Sequence, residues 1–411
     1  MQDAFGNTIT AATDAVTIAL GATPGSGTFS GTLTVAATQG IATFSDLQFD
    51  PPGSGYVLSA SAASLSGATS VPFAVTVPFT AVSVGGTQTC GLTIGGAAYC
   101  WGSNTSHPVL VAGGVNFASV SVGDSQSCGV TAAGDAYCWG SNTSNPVLVP
   151  GGVKFAAVSA GHTHTCGITE TGVAYCWGFN ANGQIGDGTT ITRSSPAPVA
   201  GGLAFAAVSA GNHTCGVTTG GAAYCWGLNV FGQLGDGSMT DRLTPVPVVG
   251  GVSFAAVSAS TSVSPLNVGT VSSYSCGVTV GGAAYCWGSN GFGQLGDSTT
   301  TDRLTPAHVV GGVTFAAVEA GLFHTCGLTT AGTAYCWGVN SFGRLGDGST
   351  IDRLTPGPVA GGLTFTGVEV GPFHTCGVTA ARAVYCWGSN AFGQLGDGST
   401  TDGLTPVRVV Q

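Results

Sequence analysis

The sequence predicts an all-β chain, a small β-sandwich followed by a seven-bladed β-propeller. Three regularities carry that prediction: fourteen cysteines in seven evenly spaced pairs, a Trp-Gly step after every second cysteine, and a phenylalanine upstream of every first one. Self-similarity at roughly 38–50 residues, with several short strands per unit, marks a propeller. The 411 residues are too many for one ordinary domain. Charged residues make up 6% of the chain and apolar ones 43%, the reverse of a disordered composition. The 70 glycines suit short strands joined by tight turns.

The cysteines pair as Cys90 with Cys100, Cys128 with Cys138, Cys166 with Cys176, Cys215 with Cys225, Cys276 with Cys286, Cys326 with Cys336 and Cys376 with Cys386. Their wide spacing differs from the tight Cys-x2–4-Cys knuckles of zinc sites. Cys215-Gly-Val-Thr-Thr-Gly-Gly-Ala-Ala-Tyr-Cys225 is typical, with strand residues on either side of a glycine turn. A turn at Gly220 sets the two cysteines opposite each other on antiparallel strands, roughly 4.5 Å apart at Cα and within disulfide range. Seven disulfides persist only in an oxidising compartment. The chain is therefore expected to be secreted or held at the cell surface.

The markers of the repeat are Trp101, Trp139, Trp177, Trp226, Trp287, Trp337 and Trp387, and upstream Phe79, Phe117, Phe155, Phe205, Phe254, Phe315 and Phe365. A tyrosine precedes each second cysteine. The fifth unit carries an insertion, Ser260 to Ser273. The first two units are short, and from the third onward each unit adds an Asn-x-x-Gly-Gln-Leu-Gly-Asp-Gly-like loop, such as Asn229 to Gly237. One side of the ring should therefore be lower. The chain stops at the point where another Phe strand is due, and the segment around Phe79 reads as a spare copy of it. That strand is expected to complete the last blade and so remove an open sheet edge.

Gly371-Pro-Phe-His-Thr-Cys-Gly-Val-Thr379 and Tyr385-Cys-Trp-Gly-Ser-Asn-Ala-Phe-Gly-Gln-Leu-Gly396 resemble the regulator-of-chromosome-condensation repeat family. The resemblance covers residues 78–411 and recurs seven times, although the first two units lack the Gly-Gln-Leu-Gly loop. It implies seven four-stranded blades. The family includes a nuclear guanine-nucleotide exchange factor and secreted propellers that bind proteins across one face. The nuclear role conflicts with seven disulfides and with an acidic, lysine-poor surface.

Residues 1–77 form a separate domain by pattern. Alternating segments at Val16–Leu20, Thr32–Val35, Ile41–Phe44, Tyr56–Ala60 and Val71–Val77 read as sandwich strands. Asp3-Ala-Phe-Gly-Asn7, Ser30-Gly-Thr-Leu-Thr-Val35 and Gly40-Ile-Ala-Thr-Phe-Ser45 resemble the bacterial immunoglobulin-like, invasin-type modules of surface and secreted proteins. No signal peptide is visible at the start. A strand expected before Asp3 is missing from the numbering, which implies an upstream segment or an open edge that another chain can join.

His164, His213, His324 and His374 precede their cysteines at equivalent positions. A metal ring is one reading, but Gln88, Gln126 and Tyr274 interrupt it, and blade-packing histidines with satisfied ring nitrogens fit better. Asp236 with Asp241, Asp297 with Asp302 and Asp347 with Asp352 fall short of the oxygens calcium needs and suit Asx-turn capping and ion pairing. No catalytic motif is present, so an enzyme is not expected, and neither is a cofactor or metal. Asn104, Asn142 and Asn212 match glycosylation sequons by composition alone.

The formal net charge is −10, with eight basic residues in all, which argues against nucleic acid. No apolar run is long enough to span a membrane. The expected function is a non-enzymatic extracellular binding or structural module whose propeller face takes a protein or glycan. It could serve as a subunit of a surface assembly, self-associating through the immunoglobulin-like domain. A secreted inhibitor of another protein is the alternative. The candidate binding loops carry Phe231, Phe292, Phe342 and Phe392 just before their Gly-Gln/Arg-Leu-Gly turns. These rings either fold under as packing or form an exposed anchor row.

Overall fold

The structure, a computed structural model, describes all residues except 3–6, 23–27, 51–52, 64, 141–142, 262–271 and 411. The Asn142 sequon and most of the Ser260–Ser273 insertion lie outside the described residues. Two compact units are present, Met1–Val77 and Pro78–Val409. Regular structure is strand apart from a single 3-10 turn at Ser341–Gly343 among the described residues.

In the first unit, β1 (Ala15–Ala22), β3 (Thr34–Ala36), β5 (Gly53–Ala62) and β6 (Leu65–Thr69) form a sheet in the order β3-β1-β5-β6. β7 (Phe73–Val75) pairs with β5, and β2 (Thr28–Ser30) pairs with β4 (Gln48–Asp50). An aromatic cluster fills it, with the Phe49 ring 5.0–5.7 Å from those of Phe29, Tyr56 and Phe73. The strand expected at Ile41–Phe44 does not form. Left-handed Gln39 and Gly40 (φ 53 and 76) fold the chain back so that Ile41 bridges to Thr38, and the next strand is β4.

The second unit holds seven four-stranded antiparallel sheets, each drawn from one contiguous segment. Blade I spans Phe79–Leu110, blade II Ser119–Leu148, blade III Ala157–Pro198 and blade IV Phe205–Pro247. Blades V, VI and VII are Phe254–His308, Ala317–Pro358 and Phe365–Arg408. In blade IV the strands run Phe205–Ala210, His213–Thr218, Ala223–Gly227 and Arg242–Pro247. The first strands of successive blades lie side by side and line the centre. Five of them are stitched by a serine whose Oγ accepts the next blade's backbone N–H, as Ser209 does from Ala259 at 3.0 Å. Ser83, Ser121, Ser159 and Ser258 act likewise. The outer strands face solvent and carry prolines (Pro108, Pro146, Pro196, Pro245, Pro306, Pro356 and Pro406), which deprive each exposed edge of a donor for strand addition.

The cysteines of each unit are directly opposed in the register, as expected from their spacing. Each first cysteine is bonded to the second of its own blade. Cys90 joins Cys100, Cys128 joins Cys138, Cys166 joins Cys176 and Cys215 joins Cys225. Likewise Cys276 joins Cys286, Cys326 joins Cys336 and Cys376 joins Cys386. All seven Cα–Cα distances are 4.0–4.1 Å, a little shorter than the 4.5 Å expected for such a pair. The residue after the first cysteine is always glycine because the blade's own Phe lies flat against it. A Cβ on Gly216 would stand 2.6 Å from the Phe205 ring. That Phe in turn packs on its blade's tryptophan, 5.7 Å away between centroids for Phe205 and Trp226. The cores lie between blades: Cys166, Cys176 and Ile185 of blade III pack against Phe205 and Trp226 of blade IV.

A ring of side-chain hydrogen bonds crosses every seam. His164 Nε2 meets Thr214 Oγ1 (2.7 Å), His213 meets Ser275 (2.6 Å), His324 meets Thr375 (2.8 Å) and His374 meets Thr89 (2.7 Å). The residues that break the histidine pattern perform the same task. Gln88 Oε1 accepts from Ser127 Oγ (3.0 Å), Gln126 Nε2 donates to Thr165 (2.6 Å) and Tyr274 OH lies 2.9 Å from Thr325 Oγ1.

The expected strand exchange at the ends does not occur. Phe79–Val84 pairs with Gln88–Thr93 in blade I, and Gly403–Arg408 completes blade VII. Seven phenylalanines match seven cysteine pairs, so Phe79 belongs with Cys90 and no copy is spare. The ring closes by the contacts used at the other seams: His374 to Thr89, Phe79 N–H to Arg382 O (3.1 Å), and the 389–402 loop on blade I through Asn104 N–H to Phe392 O (3.0 Å) and Gly398 N–H to Ser106 O (2.9 Å).

Candidate functional site

Blades III to VII carry a long connection between their third and outer strands, over residues 179–192, 228–241, 289–302, 339–352 and 389–402. A buried asparagine organises each one. Asn229 Oδ1 accepts the Leu234 N–H (2.9 Å), while its Nδ2 donates to the Ser238 and Thr240 carbonyls, both at 3.1 Å. Asp236 accepts from the Ser238 N–H (2.9 Å) and from Arg242 Nε (2.8 Å). Burial pushes the Asp236 carboxyl up, but the Ser238 and Arg242 hydrogen bonds outweigh it and hold the group below its usual range. Asp187, Asp297 and Asp347 repeat this with Arg193, Arg303 and Arg353. Asp241, Asp302 and Asp352 have a different duty, since Asp302 Oδ1 accepts the Asn290 N–H (2.7 Å) and Asp352 the Asn340 N–H (2.8 Å). The aspartates thus cap and pair. No cluster of three or more metal-ligating side chains occurs among the described residues.

These loops are rigid platforms for the phenylalanines. The glutamine of the motif fixes them, with Gln294 Oε1 accepting the Phe292 N–H (2.9 Å), and Gln233 and Gln394 doing the same for Phe231 and Phe392 at 2.8 Å. Phe292, Phe342 and Phe392 are 37%, 49% and 45% exposed, and Phe231 is half-buried. Phe323 and Phe373, on the first turns of blades VI and VII, lie on the same face. Phe292 meets Phe323 edge to face at 5.2 Å. Arg344 sits 5.8 Å from the Phe342 centroid and 5.9 Å from that of Phe373, donating to the Ser341 and Pro372 carbonyls. Burial pulls its guanidinium down to about 10, against the pull of Asp352. Arginine cannot accept the N–H that glutamine accepts in the sister loops, and Phe342 adopts a left-handed φ of 63 there. Such a backbone is costly for a bulky residue and concentrates at functional positions. Sequence reasoning singled out Phe231, Phe292, Phe342 and Phe392 but not Phe323, Phe373 and Arg344, which the structure sets beside them; the Gln-to-Arg change at position 344 was the available signal.

The opposite side of this face is polar. Asp124 of blade II pairs with His162 of blade III at 2.9 Å, and burial raises the carboxyl against the pull of that histidine. On the far face, a cleft of about 610 Å³ opens between the hairpin turns of blades II and III, lined by Thr131, Lys154, Thr169 and Glu170 among others. In the centre, the position held by serine in blades I to V becomes Glu319 and Glu369 in blades VI and VII. Burial pushes Glu319 up to about 7, opposed by the Ser258 hydroxyl that it accepts (2.9 Å). Glu369 stands well above the carboxylate range through burial and the neighbouring Glu319.

The four histidines are seam residues rather than ligands. Thr214 Oγ1 donates onward to Gln184 O (2.9 Å), so His164 must donate to it from Nε2 and carry its proton there. The same holds for His213, His324 and His374 through Ser275, Thr375 and Thr89. The expectation that both ring nitrogens are satisfied needs correction: Nδ1 of His164, His324 and His374 has no partner among the described residues. Asn212 is not an open sequon either, since it is buried and Nδ2 reaches the Ser272 carbonyl at 3.5 Å.

Residues 143–411 match the family model of the RCC1-like domain, and residues 117–145 that of the regulator of chromosome condensation (RCC1) repeat. No curated protein matches the chain in sequence. Among solved structures, human WBSCR16 is similar at 18% identity and a TM-score of 0.66, over 75% of this chain and 85% of that one. Prp20p from Saccharomyces cerevisiae, described with its binding to Gsp1p and histones, is similar at 19% identity and 0.60, over 71% and 80%. The ectodomain of the Arabidopsis thaliana receptor kinase ACR4 is similar at 21% identity and 0.50, over 75% and 95%. No helix among the described residues is long and apolar enough to cross a membrane.

Two pH effects follow. Burial pulls His164, His213 and His374 down to about 3, below the roughly 6.5 of an unfolded histidine. The unfolded state therefore binds more protons below pH 6.5, and stability should fall by roughly 1.4 kcal/mol per pH unit per histidine as pH drops from 6.5 toward 3. Melting temperatures across pH 4–7 should decline steeply in the wild type. They should decline less in His374→Gln, which installs the residue type of blades I and II. Glu319 has the opposite sign: a raised folded pKa costs stability as pH climbs from the ordinary carboxylate range through about 7. Glu319→Ser should therefore raise the melting temperature at pH 8 and change it little at pH 5.

Proposed function

Since the chain belongs to the RCC1-like domain family, we propose that it is an extracellular or cell-surface, non-enzymatic binding module that recognises a partner protein across the loop face of blades IV to VII. The observation that carries this reading is the exposed arc of Phe292, Phe342 and Phe392, with Phe292 and Phe392 held by their glutamine acceptors and Phe342 set beside Arg344. Preorganised aromatics with an adjacent arginine are the residues that dominate protein interfaces. A glycan is the second candidate for the same arc, because flat aromatic faces also accept sugar rings. Placement outside the cell rests on seven disulfides and no free cysteine. Non-enzymatic action fits hydroxyls and imidazoles committed to one another across the seams.

For the N-terminal unit we propose an invasin-type immunoglobulin-like domain, spanning residues 1–77, that supports self-association within a surface assembly. Its edge strand β6 is exposed along its length and carries neither charge nor proline, the kind of edge that accepts a strand from another chain.

Capture from culture supernatant and envelope fractions tests the first reading. Phe342→Ala with Phe392→Ala should abolish recovery of the partner while leaving the melting temperature near wild type; retained capture would rule the arc out. Size-exclusion chromatography with light scattering tests the second. Concentration-dependent oligomers that Thr69→Pro disperses are expected, since the Thr69 N–H points away from β5, and a monomer at all concentrations would refute it.

A further inference from the structure

We propose that the disulfides of blades I and II, Cys90–Cys100 and Cys128–Cys138, form a thiol-exchange site that small thiols and dithiols open in the folded propeller while the other five stay closed. All seven share one sequence separation and nearly one Cα–Cα distance, so access rather than framework distinguishes them. In blades III to VI the long loop packs an apolar side chain on its own blade's disulfide, Ile185 with Cys166 and Cys176 in blade III, and blade VII carries a fully buried Leu395 at the same position. Leu234 packs with Cys215 and Cys225 under Trp287, Leu295 with Cys276 and Cys286 under Trp337, and Leu345 with Cys326 and Cys336 under Trp387. Both cysteines are buried in all five blades, Cys376 and Cys386 of blade VII included.

Blades I and II have no such loop. In blade I residues 103–104 alone join the third and outer strands, too few to supply a side chain at the leucine position, and in blade II the strands Ala136–Gly140 and Thr143–Leu148 stand equally close in sequence. Their second cysteines, Cys100 and Cys138, are accordingly only half-buried, while Cys90 and Cys128 remain fully buried. The tryptophans across those two seams register the same gap: Trp139 and Trp177 keep 5% and 7% of their surface, against 0% for Trp226, Trp287 and Trp337.

The asymmetry within each pair sets the direction of attack. An incoming thiolate reaches Cys138 Sγ, forms a mixed disulfide with it and expels Cys128 as a thiolate, which takes up a proton. Thr165 Oγ1 lies 3.8 Å from Cys128 Sγ and accepts from Gln126, leaving its O–H to donate to the departing sulfur. The second thiol of a dithiol then attacks the mixed disulfide, releasing Cys138 as a thiol and leaving as a cyclic disulfide. Two electrons pass from the dithiol to the protein. The strands around the bond remain paired through the register Cys128↔Cys138, so the blade need not unfold for the bond to open. The proposal is independent of the loop-face reading above.

The test is graded reduction of the full chain with dithiothreitol under native conditions, alkylation at timed intervals and peptide mapping. Cys90, Cys100, Cys128 and Cys138 should be labelled roughly tenfold faster or more than the other ten, with tryptophan fluorescence unchanged during that phase. A uniform rate, labelling of any sealed pair first, or labelling only with loss of the folded signal would each overturn the proposal. Leu345→Ala provides a second arm by unsealing blade VI. In folded variant protein Cys326–Cys336 should join the fast class, and an unchanged rate would refute the lid. Should that variant not fold, Leu345→Val reads the same shift at smaller amplitude, with the same refuting outcome.

Discussion

Every blade of this propeller is held to the next through one hydroxyl. Thr89, Ser127, Thr165, Thr214, Ser275, Thr325 and Thr375 each stand at the seam and are contacted from the preceding blade by a histidine, glutamine or tyrosine. Where a long loop exists, the hydroxyl passes its proton on to that loop's carbonyl, as Thr325 does to Gln294 O at 2.7 Å. Trp226, Trp287 and Trp337 donate to those same carbonyls at 2.9–3.0 Å. In blades III to V one carbonyl thus receives two bonds from the next blade, and the loop cannot be displaced without stranding both donors in a dry interior.

That arrangement bears on the recognition role proposed for the loop face. Burying the asparagine, the leucine and the carbonyl of the residue before that leucine leaves the phenylalanine between them partly exposed in blades V to VII. The rigidity comes from the seam and the exposure from geometry, so the two arise together. Blades I and II lack the loop and lose both properties, offering half-covered cysteines and, from blade II, an Asp124 paired with His162 of blade III in place of aromatic rings.

Much of this was legible in the sequence because a repeat makes each unit a control for the others. Seven identical spacings identify the cysteine partners and the blade count without reference to any contact. Equivalence that is functional rather than chemical escapes such a comparison. Gln88, Gln126 and Tyr274 looked like gaps in a histidine series, yet all reach the neighbouring hydroxyl, which only needs a polar group of suitable length. The ends misled for a related reason. A strand placed before the first cysteine pair suggests exchange, whereas closure here uses side chains and the 389–402 loop, which have no sequence mark of their own. In the N-terminal unit, alternation at Ile41–Phe44 was outweighed by the turn at Gln39-Gly40, a local backbone preference that periodicity does not register.

Because each blade is contiguous and the closing seam uses the same contacts as the others, the ring has no privileged starting point. A gene encoding it can be lengthened or rearranged in units of a whole blade, and a circularly permuted chain cut between any two blades would present the same seven sheets and the same seven hydroxyl contacts. Each sheet can also be completed, and its bond oxidised, as soon as its own segment has been made. The first blade does not have to wait, unpaired, for the last residues to arrive.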